Sequence, residues 1–184
     1  LITDGRTLDR PVNYQLVKIV SSESENPKRR PIVVFDPRAG HGPGIGGSKM
    51  NSQIGIALKA GHPVYFVMFE IHPVNGQTIA DVQQCHVYFL SVVAQRHPDG
   101  MKPAVIGNCQ GGWAAALAAA DRPDLAGPLV LNGSPLAYWG GVKGDNPMRY
   151  RGGLFGGSWL ADLSSDLGNG WFDGAHLVAG FEEL

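Results

Sequence analysis

Charge is scarce in this chain: Asp, Glu, Lys and Arg make up 17% of its 184 residues, where an average soluble domain carries roughly a quarter. The 15 basic and 16 acidic residues leave a formal net charge of -1, and the longest like-charged stretch is Lys28-Arg29-Arg30. Nucleic-acid binding needs a basic stripe that this sequence does not have. Cysteine is scarcer still, with only Cys85 and Cys109. Two thiols cannot build a disulfide framework, so reduced cysteines in a cytoplasmic protein are expected. No long apolar run exists either, because Gly, Pro or charge interrupts each one. A membrane-spanning helix is excluded, and Leu1 to Arg6 lack the pattern of a secretory signal. His and Cys spacings match no zinc motif, so no metal is expected. Glycine, by contrast, is abundant at 26 residues, about twice the usual share. The weakly charged surface leaves room for contact, including assembly into a homo-oligomer. Residue 1 is Leu, and the chain stops at Phe181-Glu182-Glu183-Leu184 without a closing element. A piece of a longer protein is the expectation.

The segment with the most chemistry in it is Gly107-Asn108-Cys109-Gln110-Gly111. It reads as a nucleophile elbow, G-x-S-x-G, with cysteine in place of serine. The short apolar run Pro103 to Ile106 precedes it and the alanine-rich stretch Trp113 to Ala120 follows, which is the strand-turn-helix setting the elbow requires. A nucleophile on so sharp a turn takes a strained backbone, and the residues two places away must be small for strand and helix to approach. Gly107 and Gly111 meet that need. The start of the following helix favours an anion, and the thiolate is the attacking species. The amide of Gln110 is the first candidate oxyanion donor, and Arg38, Ala39 or Gly40, after the strand ending at Asp36, is the second. The alternative is that Cys109 is only a small residue packed at a helix start. Cys85 lies three residues after Val82 and four before Phe89, on an apolar helix face, and reads as a core thiol.

Around the elbow, elements alternate. Val12 to Val20 reads as an outer strand, Pro31 to Asp36 as a strand covered on both faces, and Pro63 to Phe69 as a third. A helix capped by Ser48, Asn51 or Ser52 and closed by Gly61 lies between the last two. Thr78-Ile79-Ala80-Asp81 has capping-box spacing and starts a long amphipathic helix that runs to His97-Pro98. The elbow strand, a helix from about Gln110 to Ala120, and Pro128 to Asn132 as another buried strand complete the series. The pattern predicts a three-layer α/β-hydrolase-like architecture, with a mostly parallel sheet and helices on both faces. Residues 1–133 are expected to form the N-terminal part of that core. After Gly133 the periodicity is lost and Trp, Gly and Asn become frequent. Residues 134–184 therefore read as a lid-like insertion, with the remaining core strands beyond 184.

A nucleophilic thiol needs a base, and in this architecture the chain order is nucleophile, acid, histidine. Only His176 follows Cys109, and no strand pattern precedes it. The acid and base are therefore expected beyond Leu184, and this chain alone is expected to be inactive or nearly so. His62, His86 and His97 sit at helix ends or on helix faces and read as surface or core residues. His41 and His72 follow strands at the carboxyl edge of the sheet and, with Asn108, are the candidate pocket residues. Gly42-Pro43-Gly44-Ile45-Gly46-Gly47 satisfies G-x-G-x-x-G, and Glu70 ends the next strand. However, Asp36 to His41 separate these glycines from their strand and Pro43 occupies the turn. No dinucleotide cofactor is expected.

Three segments taken together carry a resemblance: Asp36-Pro37-Arg38-Ala39-Gly40-His41-Gly42-Pro43-Gly44, Gly107 to Trp113, and Gly133-Ser134-Pro135-Leu136-Ala137-Tyr138-Trp139. The chain resembles a bacterial domain-of-unknown-function family of α/β-hydrolase proteins related to polyhydroxyalkanoate synthases. The likeness extends through Asn146 to Tyr150 and Leu167 to Gly170. It implies an acyltransferase whose cysteine, here Cys109, carries an acyl chain taken from a 3-hydroxyacyl coenzyme A thioester, with an Asp and a His from later strands assisting. The coenzyme A thioester is then a substrate, and no bound cofactor is implied. Two alternatives stand beside this reading. One is a cysteine-type esterase or thioesterase acting on a small acyl ester or thioester. The other is a non-catalytic module that binds through the aromatic, glycine-rich region from Tyr138 to Trp171.

Overall fold

A computed structural model describes residues 1–22, 24–38, 45, 51–137 and 159–171. The chain divides into two compact units, Leu1–Leu136 and Ala137–Leu184. The first unit contains β1 (Thr3–Asp4), β2 (Tyr14–Lys18), β3 (Ile32–Phe35), α1 (Gln53–Lys59), β4 (Val64–Phe69), α2 (Ile79–Arg96), β5 (Ala104–Asn108), α3 (Gln110–Asp121) and β6 (Leu129–Asn132). In the second unit the described residues form α4 (Trp159–Leu167) and the turn after it, through Asn169 and Gly170, both at positive φ.

The strands form one sheet in the order β1-β2-β4-β3-β5-β6. β4, β3, β5 and β6 run parallel, while β1 and β2 pair antiparallel at one end. Parallel neighbours joined by helices put both faces of the sheet against other elements, and the side chains alternate to match. Val33, Phe35, Tyr65, Val67 and Val105 pack with α2 and α3, through residues such as Phe89, Leu90, Val93 and Ala115. Val34 and Val64 pack on the opposite face with Ile54 and Ala57 of α1. Each large apolar side chain buried in this way contributes about 1.5–3 kcal/mol. The α/β-hydrolase-like architecture read from the sequence is thus the observed one.

Element starts follow local chemistry. Ser52 caps α1, its hydroxyl accepting from the Gly55 N–H at 3.0 Å, and Gly61 leaves the helix at a φ of +76° that suits glycine. The capping box at α2 is complete: Thr78 Oγ1 accepts from the Asp81 N–H and Asp81 Oδ2 accepts from the Thr78 N–H. Ala114, Ala115 and Ala118 are buried on α3, and their small size lets this helix lie close against the sheet.

Two expectations need correction. β2 is not the outermost strand, because Thr3 and Asp4 pair with Leu16 and Gln15 and add β1 outside it. Two residues are too few to leave a period-2 signal. β6 is not buried: Leu129 and Val130 are 38% and 48% exposed. Among the described residues β6 pairs only with β5, so its apolar residues lack the cover that the inner strands have.

Candidate active site

β5 ends at Asn108, α3 begins at Gln110, and Cys109 alone makes the turn between them. Its backbone sits at φ 48° and ψ -124°, a conformation that costs a residue with a Cβ about 1–3 kcal/mol. The surroundings hold it there. The Cys109 N–H donates to the Asn132 carbonyl at 2.9 Å, and the Gly112 N–H donates to the Cys109 carbonyl at 2.9 Å. A Cβ at Gly107 would overlap the Gly112 Cα, one at Gly111 would overlap the Asp36 carbonyl oxygen, and one at Gly112 would overlap the Ser134 side chain. Strand, helix and the β3 end therefore meet at backbone distance. Gly112 is as constrained as the two glycines of the motif, and its place directly after Gly111 was the available sign. Ser134 Oγ in turn donates to the Gly107 carbonyl at 3.3 Å.

This turn leaves the Cys109 side chain exposed. Among the described residues no hydrogen bond reaches the thiol. Cys85 is the opposite case, buried in α2, where burial pushes its thiol up to about 12.

Asn108 is 6% exposed and braces the site from behind. Its Nδ2 donates to Gln53 Oε1 at 2.9 Å, and its Oδ1 accepts from Asn132 Nδ2 at 3.2 Å. One side chain thus links the start of α1, the elbow and the end of β6. Gln53 and Asn132 carry no signature in the sequence, since an amide pair leaves no pattern along the chain.

The loop after β3 approaches from the other side. Arg38 adopts φ 69°, and its N–H donates to Asp36 Oδ1 at 2.8 Å. That amide, a candidate oxyanion donor, is therefore already engaged. Ala39, Gly40 and His41 lie outside the described residues, as do His176 and most of the glycine fingerprint. The Arg38 guanidinium carbon lies 4.3 Å from the centre of the Trp113 ring, and the Trp113 indole N–H donates to Gln110 Oε1 at 2.6 Å. The β3 loop and the first turn of α3 are joined through that stack.

No described histidine pairs with Cys109. His72 is exposed beyond the end of β4. His62 Nδ1 is 2.8 Å from the Arg30 carbonyl, and His97 Nε2 is 2.9 Å from the Tyr65 hydroxyl. His86 is fully buried, edge-on to Tyr14 and Phe35, with neither ring nitrogen partnered. Burial, with a smaller push from the Arg38 charge, holds it down to about 3. Among the described residues there is no group of three His, Cys, Asp or Glu suited to a metal, and no helix long and apolar enough to cross a membrane.

A family model described as "Protein of unknown function (DUF3141)" matches residues 1–184. The chain is 57% identical over 185 residues to an uncharacterized protein of Rhizobium meliloti from the ackA 5' region, covering 99% of this chain and 25% of that protein. It thus spans a quarter of the length of that curated relative. Among solved structures, the mature lipase BlEst2 of Bacillus licheniformis matches 81% of this chain and 56% of its own, with a TM-score of 0.54 and 16% identity. Cfl2 of Burkholderia cenocepacia matches 94% and 52%, with a TM-score of 0.50 and 16% identity. At such identities the likeness is one of fold.

Proposed function

This chain belongs to the DUF3141 family of proteins of unknown function, and we propose that it carries the nucleophile of an acyl-transfer reaction, with Cys109 accepting the acyl group of a small thioester or ester. One observation carries the reading. An exposed thiol stands on a strained, non-glycine backbone at the strand-to-helix turn, and glycines packed at backbone distance enforce that conformation. Strain maintained at so well braced a position marks a residue whose placement matters.

In the first half-reaction Cys109 Sγ attacks the acyl carbonyl carbon. The bond to the leaving group breaks as the tetrahedral intermediate collapses, and the leaving group departs with a proton. The Gln110 N–H stands at the first position of α3, where no intrahelical acceptor exists, and it meets the oxyanion. The second donor is assigned to Ala39 or Gly40, because Arg38 spends its amide on Asp36. The described residues hold no base or acid for Cys109, and both are assigned to residues outside them. In the second half-reaction a hydroxyl acceptor takes the acyl group, which is the acyltransferase reading, with a 3-hydroxyacyl thioester as donor in keeping with the resemblance to polyhydroxyalkanoate synthases. Hydrolysis is the second reading: the exposure of Cys109 favours it, since water reaches such a sulfur without a further site.

Covalent transfer through a thiol splits one difficult step into two. The test is release of coenzyme A from butyryl and 3-hydroxybutyryl thioesters by the full-length protein. Turnover is expected to fall at least about a thousandfold in Cys109→Ala, as for loss of a nucleophile. Unchanged turnover in that variant would overturn the assignment.

A further inference from the structure

The β3 loop also frames a pocket that the acyl-transfer chemistry leaves unused. Its volume is about 170 Å³, and its walls include Asn13, Tyr14, Phe69, Gln77 and Trp113, with Arg38 as the one charged side chain among the described residues. The amides of this wall are already spent: Gln77 Nε2 donates to Asn13 Oδ1 at 2.8 Å, and the Asn13 N–H donates to Gln77 Oε1 at 3.0 Å. Two donors remain. Tyr14 is 3% exposed and its hydroxyl makes no hydrogen bond among the described residues, and Arg38 Nε is likewise buried and unpartnered. Burial pushes the Tyr14 hydroxyl up to about 12, against a smaller downward pull from Arg38, so it keeps its proton at neutral pH.

The guanidinium is caged by aromatic rings, with its central carbon 4.3 Å from the centre of Trp113, 5.5 Å from Tyr14 and 5.6 Å from Phe69. The rings stabilise the cation across its faces and leave Nε without a partner. Among the described residues Arg38 forms no ion pair. Asp36, the adjacent carboxylate, accepts the backbone amides of Arg38 and Phe69 instead, and residues 39–50 contain no Asp or Glu. A half-buried cation whose Nε is buried and unpartnered, beside a buried hydroxyl that is likewise unpartnered, calls for an acceptor carrying negative charge. The two oxygens of one carboxylate meet both. The volume equals roughly five to six waters at about 30 Å³ each, which suits a short-chain acid.

We propose that this pocket is a carboxylate-binding subsite in which Arg38 and Tyr14 hold the two oxygens of a short-chain acid. The carboxylate has two sources, a free acid or the distal end of an acyl substrate, and the experiment separates them. The full-length Cys109→Ala protein, which cannot be acylated at that position, is titrated calorimetrically with sodium butyrate and with butan-1-ol. Butyrate is expected to bind, with butan-1-ol at least about tenfold weaker. Tyr14→Phe, which keeps the ring and its packing, is expected to weaken butyrate about tenfold, as for loss of a hydrogen bond to a charged group. With Cys109 intact, succinyl and butyryl thioesters are then compared. Acylation by the succinyl thioester that is slowed by Tyr14→Phe, with the butyryl rate unmoved, assigns the subsite to the substrate's own distal carboxylate. A calorimetric loss in Tyr14→Phe with both acylation rates unmoved assigns it to a free acid. Equal binding of butyrate and butan-1-ol, no butyrate binding, or wild-type butyrate affinity in Tyr14→Phe would overturn the proposal. Absence of any acylation would count against the nucleophile assignment and leave the titration valid.

Discussion

Replacing Cys109 by glycine isolates the strain on which the functional reading rests. At φ 48° and ψ -124°, a residue with a Cβ stores about 1–3 kcal/mol that glycine does not. Glycine loses about 0.5–1 kcal/mol more backbone entropy on folding. The difference leaves Cys109→Gly more stable than the parent by about 1 kcal/mol, within a range of roughly 0–2.5. Cys109→Ala provides the reference: it removes the sulfur but keeps the Cβ and hence the strain. Because the side chain is exposed, no cavity opens, and the change should stay within about 0.5 kcal/mol. Urea unfolding of the three proteins reads the effect as a shift in midpoint at constant m. In thermal unfolding, 1 kcal/mol corresponds to about 2–4 °C for a chain of this size. If Cys109→Gly is no more stable than Cys109→Ala, the turn is not strained and the inference from strain to function fails.

Other consequences are equally direct. Gly111→Ala drives a Cβ onto the Asp36 carbonyl oxygen, so it should cost about 1–3 kcal/mol or more as an overpacking change, and an unchanged melting temperature would mean that β3 and α3 are not in contact there. Iodoacetamide should alkylate Cys109 and spare Cys85 in the folded chain, because Cys85 is buried and its thiol is pushed up to about 12; labelling of both at similar rates by peptide mass mapping would contradict the packing of α2. His86 stays neutral in the folded state down to about pH 3, whereas the unfolded chain binds a proton below about pH 6.5. The stability tied to the neutral ring is therefore fully present above about pH 6.5 and is lost as pH falls toward 3, at up to about 1.4 kcal/mol per pH unit. His86→Phe should flatten the fall between about pH 6 and 4 in urea melts taken at successive pH values, and an identical slope would show that another group carries it.

What the sequence disclosed follows from how locally each feature is encoded. The elbow, the Thr78–Asp81 capping box and the buried strands are set by neighbouring residues, and Pro31 to Asp36 reads as a covered strand because β3 has a strand on each side and helices on both faces. β1 is too short to show a period. β6 carries the same apolar residues as an inner strand, so composition could not distinguish it from one; among the described residues it pairs only with β5, and Leu129 and Val130 are exposed. Within the site, Cys109, Gly107 and Gly111 were legible because the turn constrains them one by one. The contacts of Asn108 with Gln53 and Asn132, and of Arg38 with Trp113, cross long stretches of chain and leave no spacing to read. Arg38 illustrates the limit best: its place after β3 made it an oxyanion candidate, while the Asp36 carboxylate, two residues away, takes its amide.

The central claim is that Cys109 becomes acylated. Intact-protein mass spectrometry of the full-length protein, quenched in acid after exposure to 3-hydroxybutyryl coenzyme A and a panel of shorter and longer acyl thioesters, tests it most directly. One acyl adduct per chain is expected, mapping to the peptide that contains Cys109 and disappearing in Cys109→Ala. An adduct elsewhere, or none across the panel in a folded protein, would contradict it.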